Sequence, residues 1–387
     1  MSPRELKNTL GALLMLLAGA CASGSSTESK KREPQMSELE NKIKTIQTTS
    51  SMPGLQVLVT EGEKTVFEYT NGIRAEGRPE TVTSNDQWHI GSCTKPMTAF
   101  LIGRLVDAKI ITWQTTLSEI APKNYQLDPS VRGITVEQLL SHKSGLAVIT
   151  DPENGKIWGE SYTDKMTPQV AREKLVKSAL KIPVRFQPGS KFEYSNTGYI
   201  VLGWIVEQKR GESWEQVIQK ELFQRFAMNS CGFGPAGSED LKSAKQPWSH
   251  ILENNRLVAL PPGLQADNPP ALGPAGTVHC GVRDWHKFSK LFIDNEGVRS
   301  GFLTQATYDK LLSNDGNEMT TFSSMGRYDR PWAKGPAFAM AGSNTYNFAI
   351  VAIAPNRRRI YTINTNAGHE KADQAAAQIL KLVADLE

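Results

Sequence analysis

The sequence predicts an α/β (α+β) fold, in which helices flank one antiparallel sheet and a helical lobe is inserted between the strands. Alternating or β-branched runs occur near the start, at residues 55–59 and 65–69. Three more occur near the end, at residues 337–340, 348–354 and 360–364. Between them, apolar residues recur every three or four positions, which is typical of helices. A sheet built from both ends of a chain, with helices in between, implies one domain with two lobes.

The start of the chain is predicted to be an export signal. Basic residues precede an apolar run at residues 10–20 that is too short to span a bilayer, so residues 1–20 are interpreted as a signal peptide. The sequence LAGAC resembles a bacterial lipobox, which implies that Cys21 is lipidated and anchors the protein to a membrane. The same AGA triplet also fits ordinary signal peptidase, so cleavage without lipid stays open. Ala22, by resemblance to sorting rules, favours the outer membrane, with the protein on its periplasmic side.

Residues 21–36 are predicted to be a flexible tether, because they contain no aromatic and no branched aliphatic side chain. The first helix is predicted to begin at Ser37, an N-cap with Glu40 three positions later. The folded domain then covers residues 37–387. Its α/β lobe is predicted at about 37–112 and 335–387, and its helical lobe at about 113–334.

The other elements follow from the same periodicities. The runs at 55–59 and 65–69, separated by EGEK, predict a hairpin. From Pro96 the apolar residues predict a buried central helix with Ser92 and Thr94 near its start. Further helices are predicted at residues 136–140, 170–179, 197–209, 214–226, 282–292, 305–312 and 372–386.

Charge and cysteine content exclude several classes of protein. The net charge is +4, from 44 basic and 40 acidic residues that are scattered along the chain, which argues against a nucleic-acid partner. No spacing of ligand residues indicates a metal or a cofactor, and none is predicted. The thiols after the leader are Cys93, Cys231 and Cys280, an odd number, so at least one is unpaired. Cys93 is expected to face the core, and a bridge between Cys231 and Cys280 is left open but not favoured.

A serine and a lysine stand three residues apart at the predicted start of the central helix. Helical spacing puts the hydroxyl of Ser92 and the amine of Lys95 on one side, within hydrogen-bond reach. A lysine can act as a base for such a hydroxyl if burial holds it neutral. The same pattern at Ser178 and Lys181 lies within a charged helix and is expected to be structural.

A tyrosine and an asparagine lie in the segment KFEYSNTGYIVLG, at Tyr194 and Asn196. A polar loop before an apolar helix can aim a phenol and an amide into a cleft. The other Tyr-x-Asn pattern, at residues 69–71, ends a predicted strand and is expected to be structural.

Together these patterns resemble the serine β-lactamase and penicillin-binding protein family, in particular its class C β-lactamase-like branch, which includes esterases and D-amino-acid peptidases. The segment GITVEQLLSHKSGL and the block at residues 193–234 are similar to the family as well, and the resemblance extends over roughly residues 37–387. It implies a β-lactamase/transpeptidase-like fold. It also implies that Ser92 is the nucleophile, that Lys95 and Tyr194 move its proton, and that Asn196 orients the substrate.

The third motif of that family is altered in this chain. The family has Lys or His, a small residue and Gly, whereas this chain has Met340, Ala341 and Gly342, followed by Ser343. Gly342 lets a substrate approach the backbone, and the N–H of Ser343 can form an oxyanion hole with that of Ser92. A thioether cannot bind a substrate carboxylate. The substitution disfavours β-lactams and D-alanyl peptides, which are anionic, more than neutral esters.

Two other patterns are expected to carry no chemistry. The sequence GFGPAG at residues 232–237 matches a dinucleotide-binding pattern, but it lacks a strand-to-helix context and Pro235 removes an N–H. His250 and His279 have no acidic partner at motif spacing and are predicted to be core or loop residues.

The predicted function is that of an exported serine hydrolase that acts on an ester or amide through an acyl-enzyme. Its substrate is expected to be a small ester or a cell-envelope compound such as a peptidoglycan fragment. One alternative is a non-catalytic protein of the same fold that binds peptidoglycan fragments or an envelope partner, which Met340 favours. Another is a class C-type β-lactamase or D-alanyl peptidase. The four motif residues Ser92, Lys95, Tyr194 and Asn196 favour an enzyme.

Overall fold

The computed structural model describes residues 28–149, 154–163, 165–237, 241–254, 256–316 and 320–386. In chain order its strands are β1 (Gly54–Glu61), β2 (Lys64–Gly72), β3 (Gln87–His89), β4 (Gly232–Phe233), β5 (Ser249–Glu253), β6 (Arg256–Leu260), β7 (Val278–Gly281), β8 (Gly326–Arg330), β9 (Gly335–Ser343), β10 (Phe348–Ala354) and β11 (Arg359–Thr365). Its helices are α1 (Glu28–Thr49), α2 (Lys95–Asp107), α3 (Leu117–Ile120), α4 (Val136–Leu140), α5 (Gly155–Ser161), α6 (Pro168–Ala179), α7 (Asn196–Arg210), α8 (Trp214–Ile218), α9 (Gly273–Gly276), α10 (Val282–Ser289), α11 (Glu296–Arg299), α12 (Gln305–Leu312) and α13 (Glu370–Ala384).

One antiparallel sheet joins the two ends of the chain. Its strands lie in the order β2-β1-β11-β10-β9-β8, so the N-terminal hairpin pairs directly with the last strand. The predicted hairpin and the three predicted C-terminal strands are all present. Leu55 pairs with Thr365, which shows how closely the distant segments are joined. The expected α/β (α+β) architecture is therefore confirmed.

The sheet lies between two apolar cores. Strand β10 is buried on both faces and contributes alternate residues to each core, as the period of two along a strand requires. Its residues Phe348 and Ile350 pack with α1 and α13, whereas Ala349 and Val351 pack with the helical side of the molecule. Helix α2 lies in that larger core and packs against α7. The prediction of a buried central helix is confirmed.

The middle of the chain contains strands that the helical periodicity did not predict. Strands β3, β7 and β4 form a small antiparallel sheet, and β5 and β6 form a hairpin. These strands have two to five residues each, too few for alternation to be distinguished from a loop. Strand β8, GRYDR, is polar because it forms the edge of the main sheet.

Helix α1 begins earlier than predicted. It begins at Glu28 rather than after Ser37, so residues 28–36 of the expected tether are helical. The tether was predicted because these residues have no side chains that can form a core, which does not exclude a helix. A helix nucleated by the packing of Leu39 and Ile43 can extend towards its N-terminus through Glu, Lys, Arg, Gln and Met, which have good helix propensity, although Pro34 in this stretch opposes that propensity. The predicted signal peptide, with Cys21, lies outside the described residues.

A disulfide joins Cys231 to Cys280, a pairing that the sequence did not favour. The two cysteines are 49 positions apart, and only the pairing of β4 with β7 brings them together. Cys93 is a free, buried thiol, as expected. Burial in an apolar environment raises the pKa of this thiol, so Cys93 behaves as a small apolar side chain.

None of the helices in the described part of the chain combines the length and the apolar composition needed to cross a membrane.

Candidate active site

Ser92 and Lys95 are brought together by one turn of helix. Gly91–Thr94 form a 3₁₀ helix that continues into α2, whose first residue is Lys95. The Nζ atom of Lys95 lies 3.0 Å from the Oγ atom of Ser92. Ser92 is 8% exposed and Lys95 is fully buried. The predicted contact between the hydroxyl and the amine is therefore present.

The Lys95 amine has two further contacts, both with carbonyl oxygens. Nζ lies 2.8 Å from Oδ1 of Asn196 at the start of α7 and 2.7 Å from the main-chain oxygen of Ala275 in α9. Burial holds the pKa of Lys95 well below its usual value. A neutral amine has two N–H bonds and one lone pair. If the N–H bonds point at the two carbonyl oxygens, the lone pair faces the Ser92 hydroxyl.

Tyr194 lies beside this pair, as the sequence predicted. The Nζ atom of Lys95 is 4.8 Å from the centre of the Tyr194 ring. Burial raises the pKa of the Tyr194 phenol, and the neighbouring Ser92 hydroxyl partly offsets that rise. The phenolic oxygen is buried and makes no hydrogen bond of normal geometry, even with Ser92. It is thus a neutral hydroxyl beside Ser92 and has a proton to donate.

His142 supports the Tyr194 ring. The two rings stack with centres 4.7 Å apart. The Nδ1 atom of His142 accepts the Ser195 N–H at 3.1 Å, so the proton of the neutral ring is on Nε2, which donates to Ser324 Oγ at 2.8 Å. Burial, with a smaller effect of Lys95, lowers the pKa of His142 to about 3. The motif LLSHKSG was recognised in the sequence, but this role for its histidine was not.

Two glycines allow the backbones of β9 and the Ser92 turn to touch. Gly91 has φ +50°, and a Cβ on it would lie 2.4 Å from the Ser343 nitrogen. A Cβ on Gly342 would lie 2.8 Å from the Ser92 nitrogen and 2.1 Å from the Ile90 oxygen. The N–H of Ser92 is in the first turn of a helix, where N–H groups have no acceptor within the helix. The N–H groups of Ser92 and Ser343 therefore belong to two backbone segments in contact, as an oxyanion hole requires.

Two basic residues shortly before β9, Arg330 and Lys334, are the candidates for supplying the cation that the family motif has at the position of Met340, and neither lies close to it. Met340 is buried in the helical core, on the face of β9 that packs towards α2, and its main-chain oxygen lies 3.6 Å from Cys93 Sγ. Arg330 pairs with Gly335 at the turn between β8 and β9, and Lys334 belongs to that turn. Lys334 is eight positions before Gly342, a distance of about 26 Å along an extended strand. The two candidates therefore lie at the wrong end of the strand.

The other sequence patterns are structural. His250 is buried and contacts the Glu76 N–H at 3.0 Å and the Asn366 oxygen at 2.8 Å. His279 contacts the Gly234 oxygen at 2.9 Å. Ser178 bonds to the Lys174 oxygen within α6. The described residues contain no cluster of three or more His, Cys, Asp and Glu side chains that could hold a metal.

Comparison with known proteins agrees with this geometry. The family model described as Beta-lactamase matches residues 39–385, nearly all of the chain. The chain belongs to the beta-lactamase family. By that membership it is an enzyme of the serine hydrolase class, and the resemblance given by Ser92, Lys95, Tyr194 and Asn196 is confirmed at the level of the family.

Relatives within the family have several activities in their names. Penicillin-binding protein 4 of Amycolatopsis lactamdurans is 24% identical over 341 residues, which is 85% of this chain and 84% of that protein. Lovastatin esterase of Penicillium rubens is 28% identical over 290 residues, which is 69% of this chain and 66% of that protein. The octameric penicillin-binding protein homologue from Pyrococcus abyssi has the same fold, with a TM-score of 0.73 at 23% identity over 90% of this chain and 77% of that one.

Proposed function

We propose that this beta-lactamase family member is an exported hydrolase that cleaves neutral esters or amides through an acyl-enzyme on Ser92. The observation that carries the proposal is the environment of Lys95. Two carbonyl oxygens, on Asn196 and Ala275, lie within 2.8 Å of Nζ, and the third neighbour is Ser92 Oγ. This arrangement orients a neutral amine so that its lone pair can accept the serine proton.

Acylation would proceed in two steps. In the first, the O–H bond of Ser92 breaks and its proton moves to Lys95 Nζ, while Oγ bonds to the substrate carbonyl carbon. The π electron pair moves to the carbonyl oxygen, where the N–H groups of Ser92 and Ser343 stabilise the charge. In the second, the carbonyl re-forms and the bond to the alcohol or amine breaks. The leaving group takes the proton from Lys95, directly or through the Tyr194 hydroxyl.

Deacylation would reverse these roles with water as the nucleophile. As the oxygen of a water molecule attacks the ester on Ser92, the water gives a proton to the neutral Lys95 amine, either directly or through the Tyr194 hydroxyl. Collapse of the intermediate breaks the bond to Oγ, and Ser92 recovers its proton. No metal or cofactor takes part in this sequence.

The substrate is inferred from the position of Met340. The face of β9 that packs towards α2 has a thioether where the family has a cation, and Arg330 and Lys334 lie at the turn where that strand begins. An anionic substrate would meet no counter-charge at that position, whereas a neutral acyl compound needs none. The name of the lovastatin esterase relative supports ester hydrolysis within this family.

Hydrolysis assays would test this function. We expect turnover of p-nitrophenyl esters that is lost in Ser92→Ala, with much slower turnover of a β-lactam or a D-alanyl-D-alanine peptide. Faster hydrolysis of the β-lactam or the peptide would establish the anionic substrate class instead. Tight binding of a peptidoglycan fragment that survives Ser92→Ala, with no ester turnover, would establish the non-catalytic alternative.

Export and lipid anchoring at Cys21 belong to the same proposal. The leader LAGAC supports them, and the disulfide between Cys231 and Cys280 suits an oxidising compartment such as the periplasm. We expect the wild-type protein in the membrane fraction, with a lipid mass on Cys21, and Cys21→Ser in the soluble or unprocessed fraction. Wild-type protein without lipid, cleaved after Ala20, would contradict the anchor but not export.

A further inference from the structure

A buried carboxylate outside the recognised motifs connects the segments that form the oxyanion hole. Asp267 lies in the loop between the 3₁₀ helices Leu264–Ala266 and Pro270–Leu272, and it is 2% exposed. A buried carboxylate is costly unless polar groups surround it. The groups around its Oδ1 atom come from three separate parts of the chain.

The first connection leads to β9. Asn344, which follows Ser343, donates from Nδ2 to Asp267 Oδ1 at 2.8 Å. The other end of the same amide, Oδ1, accepts the N–H groups of Tyr346 at 3.2 Å and Asn347 at 2.8 Å. Asp267 therefore fixes the orientation of the Asn344 amide, and that amide shapes the turn immediately after the Ser343 N–H.

The second connection leads to the Ser92 turn. The Nε2 atom of His89 lies 2.7 Å from Asp267 Oδ1, at an angle too poor for a regular hydrogen bond. The Nδ1 atom of the same ring accepts the Gly91 N–H at 3.1 Å. The proton of a neutral His89 ring is therefore on Nε2, facing the carboxylate. Asp267 thus holds the ring that orients the peptide just before Ser92.

The third connection leads towards Lys95. The N–H of Asn268 donates to Asp267 Oδ1 at 2.6 Å, and the side chain of Asn268 donates to the Gly276 oxygen at 2.9 Å. The neighbouring Ala275 oxygen accepts from Lys95. Three groups therefore contact one carboxylate oxygen. Through them Asp267 is connected to the Ser92 turn, to the turn after β9 and to the segment whose Ala275 carbonyl contacts Lys95.

We propose that Asp267 is a positioning residue that holds the N–H groups of Ser92 and Ser343 in register. The inference rests on the proposed function, because it assigns a role in stabilising the oxyanion of that reaction. Asp267 itself does not touch the substrate. The hydrogen bonds that Oδ1 accepts from Asn344 and Asn268 end on a carboxylate, and such bonds are short and strong, so they resist the small backbone shifts that weaken a preorganised site.

The test compares Asp267→Asn with wild-type enzyme and with Asp107→Asn. Asp107 accepts three hydrogen bonds at the other end of α2, from the N–H and Oγ1 of Thr304 and from Oγ1 of Thr307, so it controls for the loss of a hydrogen-bonded carboxylate. We expect Asp267→Asn to lower kcat for a p-nitrophenyl ester by about 10- to 100-fold with KM within about threefold, and Asp107→Asn to leave both constants unchanged.

An infrared measurement separates positioning from stability. Hydrogen bonds from the oxyanion hole lower the stretching frequency of the acyl-enzyme carbonyl, so this band should move to higher frequency in Asp267→Asn. A purely structural role would lower the unfolding temperature and leave the band in place. Asn344→Ala provides a second variant if Asp267→Asn does not fold, and it should show the same band shift and loss of kcat.

The outcomes are distinct. Folded Asp267→Asn and Asn344→Ala enzymes with wild-type kcat and an unshifted carbonyl band would overturn the positioning role and leave the proposed function intact. A wild-type enzyme that forms no acyl-enzyme with any ester would overturn the proposed function, and this inference with it.

Discussion

Lys95 is shielded from water, and none of the described carboxylates forms an ion pair with it. It is fully buried, its neighbours at Nζ are a hydroxyl and two carbonyl oxygens, and burial holds its pKa well below the usual lysine value. A buried amine without a counter-charge loses its proton more easily, because the protein cannot solvate the ammonium ion. The same isolation that makes a charged amine costly for the fold suits Lys95 to act as the base in the proposed reaction.

This account predicts a pH profile that depends on Lys95. The acylation rate should be constant above the lowered pKa of Lys95 and should fall as pH drops through that pKa, because protonation fills its lone pair. Lys95→Arg should lose at least about 10³-fold in kcat, since guanidinium does not deprotonate in proteins. Single-turnover kinetics across pH will check both points. A variant with a wild-type profile would show that another group is the base.

Met340 gives a prediction about specificity. Met340→Lys places a cation on the face of β9 that packs towards α2, where the family has one. We compare kcat/KM for an anionic acyl donor with kcat/KM for a neutral ester. The ratio of the first to the second should rise about tenfold, because one charge-assisted hydrogen bond contributes a free energy of that size. The ratio is insensitive to a general loss of folded enzyme. An unchanged ratio would mean that substrates do not reach this position.

The buried carboxyl group of Asp373 should make the stability of the protein depend on pH, independently of catalysis. It is 2% exposed in the first turn of α13, its Oδ1 has no hydrogen-bond partner, and burial, with a smaller effect of Glu370, raises its pKa to about 8. Between about pH 5 and 7 the folded state therefore binds a proton that the unfolded state has lost. Stability from this group falls as pH rises, by up to about 1.4 kcal/mol per pH unit.

Urea unfolding at several pH values will check this prediction. As pH rises from 5 to 8, the free energy of unfolding of the wild-type protein should fall relative to that of Asp373→Asn, since asparagine does not ionise. Parallel curves for the two proteins would show that Asp373 has an ordinary pKa.

At the scale of elements, the disulfide strengthens the small sheet that leads into the Ser92 turn. Cys231 precedes β4, and Cys280 is in β7, which lies between β4 and β3. Strand β3 ends at His89, directly before the residues that orient Ser92. A two-residue strand such as β4 has little stability of its own, so the covalent link supplies much of what holds this sheet together.

Removal of the disulfide should therefore lower stability. We expect the Cys231→Ser, Cys280→Ser double variant to lose about 2–5 kcal/mol in the free energy of unfolding, measured with denaturant. Ester turnover should become more sensitive to temperature as β3 loosens. Equal stability of the variant and the oxidised wild-type protein would show that hydrogen bonding alone holds β4 against β7.

The length of each element determined whether hydrophobic periodicity in the sequence could predict it. Helices α2 and α7 and the long strands β1 and β10 were predictable because each repeats its pattern over at least seven residues. The start of α1 and the strands between β3 and β7 were not. The start of α1 lies in a polar stretch without hydrophobic periodicity, β3, β4 and β7 have partners that are distant in sequence, and the hairpin strands β5 and β6 are too short to show a clear alternation.

At the scale of the molecule, the candidate site is formed where three distant segments of the chain meet. The nucleophile turn precedes α2, the Tyr194 loop precedes α7, and β9 brings Gly342 and Ser343 from the C-terminal end of the chain. Ser92 and Lys95 could be paired from sequence because they are one turn apart. Tyr194, Asn196 and Ser343 could be assigned only because they match family motifs.

Other parts of the site had no signal in the sequence. The Ala275 carbonyl that orients Lys95 is a main-chain group that any residue could supply. Asp267 lies in a proline-rich loop without periodicity, and its partners are far away in sequence, His89 at the end of β3 and Asn344 just after β9. Such contacts depend on tertiary structure alone.

The most direct test of the central claim is the mass of the intact protein after brief exposure to a p-nitrophenyl ester and an acid quench. The account predicts one acyl group per molecule, located on Ser92 by peptide mapping, and no acyl group on Ser92→Ala or Lys95→Arg. Acylation of another residue, or equal acylation of wild-type protein and Lys95→Arg, would contradict the claim that Lys95 activates Ser92.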